Sequence, residues 1–330
     1  MLRIFEAFAG YGSQSIALRN LGVEHEVVAI SEIDKYALKA YYALHDESIP
    51  NLGDISKIKV EDVPEHDLFT YSFPCQDISV AGKQKGIIKS ETRSGLLYEC
   101  ERIIEGCRPK YLLLENVKNL VGKKHKPHFD KWLEYLETLG YTNYWQVLNA
   151  KDYEIPQNRE RTFCISILGE HEPYEFPPKQ ELKIRLKDIL ENEVKGKYYL
   201  GKTKDFFIKN SFDMEAKGNG FRFSPHVKKK ANIAKTITTK AGSRMDDNFI
   251  IEIESDAEEI EFSSKNKKSN NKIECEIRRL TPRECFRLMG LKDNDIDKIQ
   301  ATGISDTQQY KMAGNSIVVN VLEVIFKNLF

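Results

Sequence analysis

The chain has 330 residues, enough for two domains and a substantial buried core. Its 50 Lys and Arg balance 50 Asp and Glu, so overall charge points to no partner. Six cysteines, at positions 75, 100, 107, 164, 275 and 285, form no CxxC pair; this argues against a zinc site and a disulfide framework, and no metal is expected.

The start, Met1-Leu2-Arg3-Ile4-Phe5-Glu6, lacks the pattern of a signal peptide, and no apolar run reaches membrane-spanning length. A cytoplasmic protein with no membrane partner is expected. From residue 2 to about 170, strands and helices alternate. Strands are predicted over 2–9, 24–30, 68–73, 111–117, 142–148 and 161–168, with helices over 13–21, 34–45, 95–106 and 127–139. Apolar strands separated by helices of this length predict a mostly parallel α/β sheet covered on both faces.

After Pro173 the pattern breaks down. Pro177-Pro178 reads as a connector, and the next hundred residues mix short strands with Gly, Asn and Lys. From Lys179 to Asn248 there are 17 Lys/Arg against 9 Asp/Glu, a local excess of eight positive charges. Such an excess suits a polyanion-binding module, although a solvated surface would look the same. Residues 252–261 hold six acids and no base, and a Ser/Asn/Lys-rich stretch follows over 263–272; both read as an exposed loop. Regular structure resumes at Ile277. There Thr281-Pro282-Arg283-Glu284 has the form of a helix start, with Thr as N-cap, Pro at the first position and Glu at the third.

Three clusters carry chemistry. Phe8-Ala9-Gly10-Tyr11-Gly12 follows the first strand, and its two glycines let the backbone pass close to a ligand at the sheet's carboxyl edge. It is neither GxGxxG nor a Walker motif, so no dinucleotide or nucleoside triphosphate is specified. Ser31-Glu32-Ile33-Asp34, about twenty residues on, places an acid where ribose hydroxyls can be bound, while Asp34 by itself reads by default as a helix N-cap. With Gly53-Asp54-Ile55 the set fits an adenosine-type ligand. Phe73-Pro74-Cys75-Gln76 puts a cysteine on a rigid turn at a strand end, and Glu115 in Leu114-Glu115-Asn116-Val117 puts a carboxyl at another. A thiol and a carboxyl at one sheet edge suggest covalent catalysis with acid assistance. A buried cysteine and a loop glutamate are the plainer alternative.

These segments, in order with Ser79 and Gly82, Arg93-Ser94-Gly95-Leu96, Gln157-Asn158-Arg159-Glu160-Arg161, Arg279-Leu280-Thr281-Pro282-Arg283-Glu284-Cys285 and Gly314-Asn315-Ser316, resemble the motifs of DNA (cytosine-5)-methyltransferases of bacterial and phage type. The resemblance covers the chain apart from about 172–276. One departure is Gly12-Ser13, where many members have two glycines.

The resemblance implies a Rossmann-like S-adenosylmethionine-dependent methyltransferase domain over 1–185 and 306–330. A smaller target-recognition domain and hinge would span 186–305. It implies methyl transfer from S-adenosylmethionine to C5 of a cytosine flipped out of double-stranded DNA, in restriction–modification or phage protection, by a monomer. Cys75 would add to C6, Glu115 would protonate or hydrogen-bond N3, and Arg159 and Arg161 would support the cytosine O2 and a neighbouring phosphate. S-adenosylmethionine would lie against Phe8, Ala9, Gly10, Gly12, Glu32, Ile33, Asp54, Ile55, Pro74, Leu96 and Asn315. DNA contacts are expected from Gln76, Ser79, Gly82, Arg222, Lys228, Lys229, Lys230 and Arg244, and the acidic run after Glu252 is expected to face away from DNA. A relative acting on tRNA is the alternative within this fold; it carries a Cys-Phe-Thr element that is absent here. A non-catalytic homologue would be expected to lose Cys75, Glu115 or the glycine turn, and all are present.

Overall fold

The structure, a computed structural model, describes residues 1–74, 93–218, 222–253, 255–260, 262 and 276–330. Contacts divide the chain into two units. The first comprises 1–149, 160–179 and 317–330, and the second 150–159 and 180–316. The first unit thus gives up 150–159 and 180–185 relative to the expected catalytic domain, and takes the chain end only from 317.

The strands are β1 (Leu2–Ala7), β2 (His25–Ser31), β3 (Leu68–Tyr71), β4 (Tyr111–Val117), β5 (Tyr141–Asn149), β6 (Gln157–Asn158), β7 (Glu160–Leu168), β8 (His226–Val227), β9 (Ala234–Lys235), β10 (Phe249–Ile251) and β11 (Ile277–Arg279). In the first unit the order is β2-β1-β3-β4-β7-β5. The first four are mutually parallel, while β7 runs antiparallel to both β4 and β5. The interior strands read Leu-Phe-Thr-Tyr and Tyr-Leu-Leu-Leu because a parallel strand is covered on both faces and cannot alternate with polar residues. β1 stops at Ala7, short of its expected end, because Phe8 (φ 55°) and Gly10 (φ 61°) turn the backbone into the left-handed region.

The first unit's helices are α1 (Ser13–Leu21), α2 (Lys35–Leu44), α3 (Leu97–Cys107), α4 (Lys126–Thr138) and a C-terminal helix, Val319–Lys327. Phe5, Phe69, Tyr71, Leu112 and Leu114 of the sheet pack with Cys100, Ile103 and Ile104 of α3 and Phe129, Trp132 and Leu136 of α4. The C-terminal helix packs on α1, where Asn20 donates to Glu323 at 2.7 Å. In the second unit β11-β10-β8 form one small sheet and β6-β9 another. Phe207, Phe223, Phe249 and Phe262 make an aromatic core there. Thr281 and Glu284 form the expected capping box, with Pro282 opening the helix.

Candidate active site

The carboxyl ends of β1 and β2 and the loop at Asn51–Asp54 are stitched together by polar side chains. Glu32 accepts from the N–H groups of Gly10 (2.9 Å) and Asp34 (2.7 Å), one on each carboxylate oxygen. Burial raises its pKa, and these N–H bonds oppose the rise. Asn51 accepts from the Glu32 and Gly53 N–H groups through Oδ1 and donates to the Glu32 carbonyl. Asp34 caps α2 and Asp54 caps the short turn Ile55–Lys57. Beside Glu32 the aliphatic side chain of Ile33 is 77% exposed, an apolar surface held out at the sheet edge. Gly12 must be glycine: its φ is +80°, and a Cβ would lie 2.4 Å from the His45 ring. Leu96 is partly buried against the main core.

Beneath the glycine turn, Glu6 of β1 is fully buried. Its carboxylate accepts from Ser15 N–H (3.1 Å), Ser15 Oγ–H (2.8 Å) and Tyr41 O–H (2.9 Å), tying β1 to α1 and α2. Desolvation pushes its pKa from 4.5 to about 6, against the lowering effect of those bonds.

At the end of β4, Glu115 is paired with Arg161 of β7, Nε to Oε1 at 3.2 Å, with both side chains largely buried. The register explains the pair. Glu115 stands opposite Phe163 and Val117 opposite Arg161, so Glu115 and Arg161 are diagonal neighbours on one face. The adjacent Asn116 donates to the Phe73 carbonyl at 3.0 Å, which anchors the chain just before Pro74. Cys75, Gln76, Ser79 and Gly82 lie outside the described residues.

Arg159 stands two residues before Arg161 in the chain. It belongs to the second unit, is 3% exposed, and donates to the carbonyls of Ile237 (3.0 Å), Gly314 (3.0 Å) and Ser316 (2.8 Å). Gln157 works beside it, accepting from Ile237 N–H and donating to the Leu288 carbonyl. Gly314 completes the knot. A Cβ there would stand 2.3 Å from the Thr239 nitrogen, so the Gly-Asn-Ser segment needs glycine for the close approach of residues 238–239. Asn315 is exposed at the end of its helix.

The second unit also has an open groove of about 950 Å³, with Arg222, Arg244, Lys235 and Lys151 among its lining residues and Asp246, Asp247 and Glu259 between them. Lys228 pairs with Glu252 at 2.7 Å and Lys230 with Asp256 at 3.7 Å, while the Val227 N–H donates to the Glu258 carbonyl. Glu252, Asp256 and Glu258 of the acidic run therefore lie beside residues 227–230. Asn51, Asn116, Glu6 and Gln157 hold backbone in place without being among the expected site residues. Asn116 and Gln157 stand inside motifs; Asn51 and Glu6 carry no signal without their contacts.

The sequence profile of C-5 cytosine-specific DNA methylases matches residues 2–330. The chain belongs to that family. It is 41% identical to the type II methyltransferase M2.ScrFI of Lactococcus lactis subsp. cremoris, over 100% of this chain and 99% of that one. It is 31% identical to the orphan methyltransferase M.SPRI of Bacillus phage SPR, over 99% and 97%. Among solved structures, the Dnmt2 methyltransferase of S. pombe superposes with a TM-score of 0.75 at 21% identity, covering 99% of this chain and 97% of that one, a likeness of fold. The methylase is thus a DNA cytosine-5 methyltransferase on a mixed α/β methyltransferase fold, and family and fold imply S-adenosylmethionine as methyl donor. No helix among the described residues is long and apolar enough to cross a membrane.

Proposed function

We propose that this methylase modifies cytosine in a specific duplex DNA sequence through a covalent adduct of Cys75, using the first unit for cofactor and base and the second for target recognition. The observation that carries the reading is the buried Glu115–Arg161 pair at the end of β4, beside Asn116, which fixes the strand end leading into Pro74 and Cys75. Cytosine C5 is a weak nucleophile. The Cys75 thiolate would add to C6, pushing the ring electrons toward C5 while Glu115 protonates or hydrogen-bonds N3. Once C5 carries the methyl group, a water would take the C5 proton, the C–H electrons would restore the C5–C6 double bond, and Cys75 would leave C6 as the thiolate.

S-adenosylmethionine would supply that methyl as an electrophile, with S-adenosylhomocysteine as the leaving product. The residues present fit it: Ile33 offers an exposed apolar face for a purine, Glu32 and Asp54 offer acceptors, and the Phe8–Gly12 turn keeps its backbone open because a Cβ at Gly10 would meet nothing within 4 Å. Ala9, Ile55, Pro74 and Leu96 are assigned to the same site from their motifs, whereas Asn315 belongs to the second unit. Arg161 is assigned the orientation of Glu115. For Arg159 we infer a positioning role as well as the contact expected with the base, since its guanidinium donates to three backbone carbonyls. The type II name of the Lactococcus relative supports a role in restriction–modification, and the single chain carries both units, which supports action as a monomer.

The test is labelled S-adenosylmethionine offered with duplex DNA or tRNA, followed by bisulfite sequencing of plasmid from expressing cells. Label in DNA at one recurrent cytosine is expected. Cys75→Ser should abolish turnover and retain DNA binding, and the native protein should be trapped on 5-fluorocytosine DNA. Substantial turnover by the serine variant would refute the covalent route.

A further inference from the structure

Residues 240–248 close on themselves around two neighbouring acids with different tasks. Asp247, buried, accepts the N–H groups of Ser243 (3.1 Å) and Arg244 (2.9 Å) on one oxygen, and its own N–H donates to the Arg244 carbonyl at 3.1 Å. The backbone of Arg244 is therefore held from both sides. Gly242 tightens the same turn: its φ is +77°, and a Cβ would stand 2.6 Å from Arg279 Cβ.

Asp246 acts on the side chain instead. Arg244 Nε donates to Asp246 Oδ1 at 3.0 Å, and Nη2 donates to Oδ2 at 2.9 Å. Both residues line the open groove, with side chains 46% and 29% exposed. An ion pair this wet contributes little to stability. Its physical consequence is orientation. Two parallel bonds on the Nε–Nη2 edge fix the plane of the guanidinium, and the remaining Nη1–Nη2 edge keeps parallel N–H donors. Guanine presents two adjacent acceptors, N7 and O6, along its major-groove edge, and a bidentate arginine is their match. A long side chain fixed before binding loses less freedom on contact.

We propose that Asp246 is a specificity-determining positioning residue, which aims the Nη1–Nη2 edge of Arg244 at a guanine in the methylated sequence. The proposal rests on the reading of the second unit as the DNA-recognising unit, and it adds that the recognised sequence contains a G·C pair read by this couple.

The experiment methylates a randomised duplex library with the full chain and its Arg244→Ala, Arg244→Lys, Asp246→Asn and Asp246→Glu variants, and sequences the modified fraction. Thermal unfolding is followed in parallel. The native protein should prefer guanine at one position. Arg244→Ala should lose that preference by roughly 5- to 100-fold, and Arg244→Lys should behave alike because it lacks the fork. Asp246→Asn should lose roughly 3- to 10-fold at the same position alone, with Asp246→Glu recovering part of the loss and unfolding unchanged. If the Asp246 and Arg244 variants slow all sequences equally, or shift preference at a position that is not guanine, the pair is structural and the proposal is overturned. If the native protein methylates no duplex at all, the underlying functional reading fails instead.

Discussion

At Glu6 the chain buries a carboxyl beneath the turn assigned to the cofactor, and the consequence is a pH dependence of known sign. A carboxyl whose folded pKa is raised binds its proton more tightly in the folded than in the unfolded chain. The stability this contributes is fully present below about 4.5 and is lost as pH rises through about 6, leaving a penalty on the order of 2 kcal/mol above it. Glu6→Gln keeps an acceptor for Ser15 and puts a donor against Tyr41. It should be more stable than the native chain by up to about 2 kcal/mol near neutral pH, with the gain vanishing near pH 4.5. Denaturant titrations at the two pH values check this, and a gain independent of pH would refute it. Glu115 is held at a strand end by Arg161 and, in the proposed mechanism, serves N3 of the cytosine. Glu115→Gln should lower kcat by roughly 10²- to 10⁴-fold while DNA affinity changes little, a split read from single-turnover rates and binding isotherms.

Short elements of the second unit depend on contacts that their own sequence does not contain. The helix starting at Pro282 has a complete local start signal, yet its Glu284 also receives both Nη groups of Arg278 at 2.9 Å, with neither side chain exposed. Glu284→Ala leaves Arg278 as an uncompensated buried charge, and a loss of about 3–5 kcal/mol is expected in chemical unfolding. A loss no larger than that of an exposed cap, about 1 kcal/mol, would show that water replaces the carboxylate. The segment around Gly314 is constrained by backbone instead. Gly314→Ala drives a methyl group into residues 238–239, neither of which can yield by a rotamer change, so about 1–3 kcal/mol of destabilisation is expected.

Across the molecule, charge balance masks an uneven distribution, and the fold redistributes it again. Each lysine that neutralises a phosphate contributes roughly −0.9 to the slope of log affinity against log salt. If Lys228, Lys229 and Lys230 each did so, replacing all three with alanine would flatten the slope by about 2.7. Because Glu252 and Asp256 already face Lys228 and Lys230, a smaller change is expected, measured by titrating labelled duplex at several salt concentrations. A change of the full size would mean that DNA displaces those acids. Weakening should be similar for all duplexes, in contrast to the base-selective loss expected at Arg244.

The strand–helix alternation, the capping box at Thr281 and the ordered motifs that place the chain in its family were legible before folding, because each is written in short spacings or in runs of one residue type. The antiparallel β7 was not legible. A buried antiparallel strand and a buried parallel one have the same apolar run, and direction is set by where the chain returns. Equally hidden was the division between the two arginines of Gln157-Asn158-Arg159-Glu160-Arg161. Their spacing puts both on one side of an extended strand, but the chain leaves the second unit between residues 159 and 160. That Arg161 meets Glu115 across β4 and β7, and that Arg159 donates to the carbonyls of Ile237, Gly314 and Ser316, follows from the folded chain alone. A guanidinium carries no local preference for either partner; burial beside unpaired acceptors selects it.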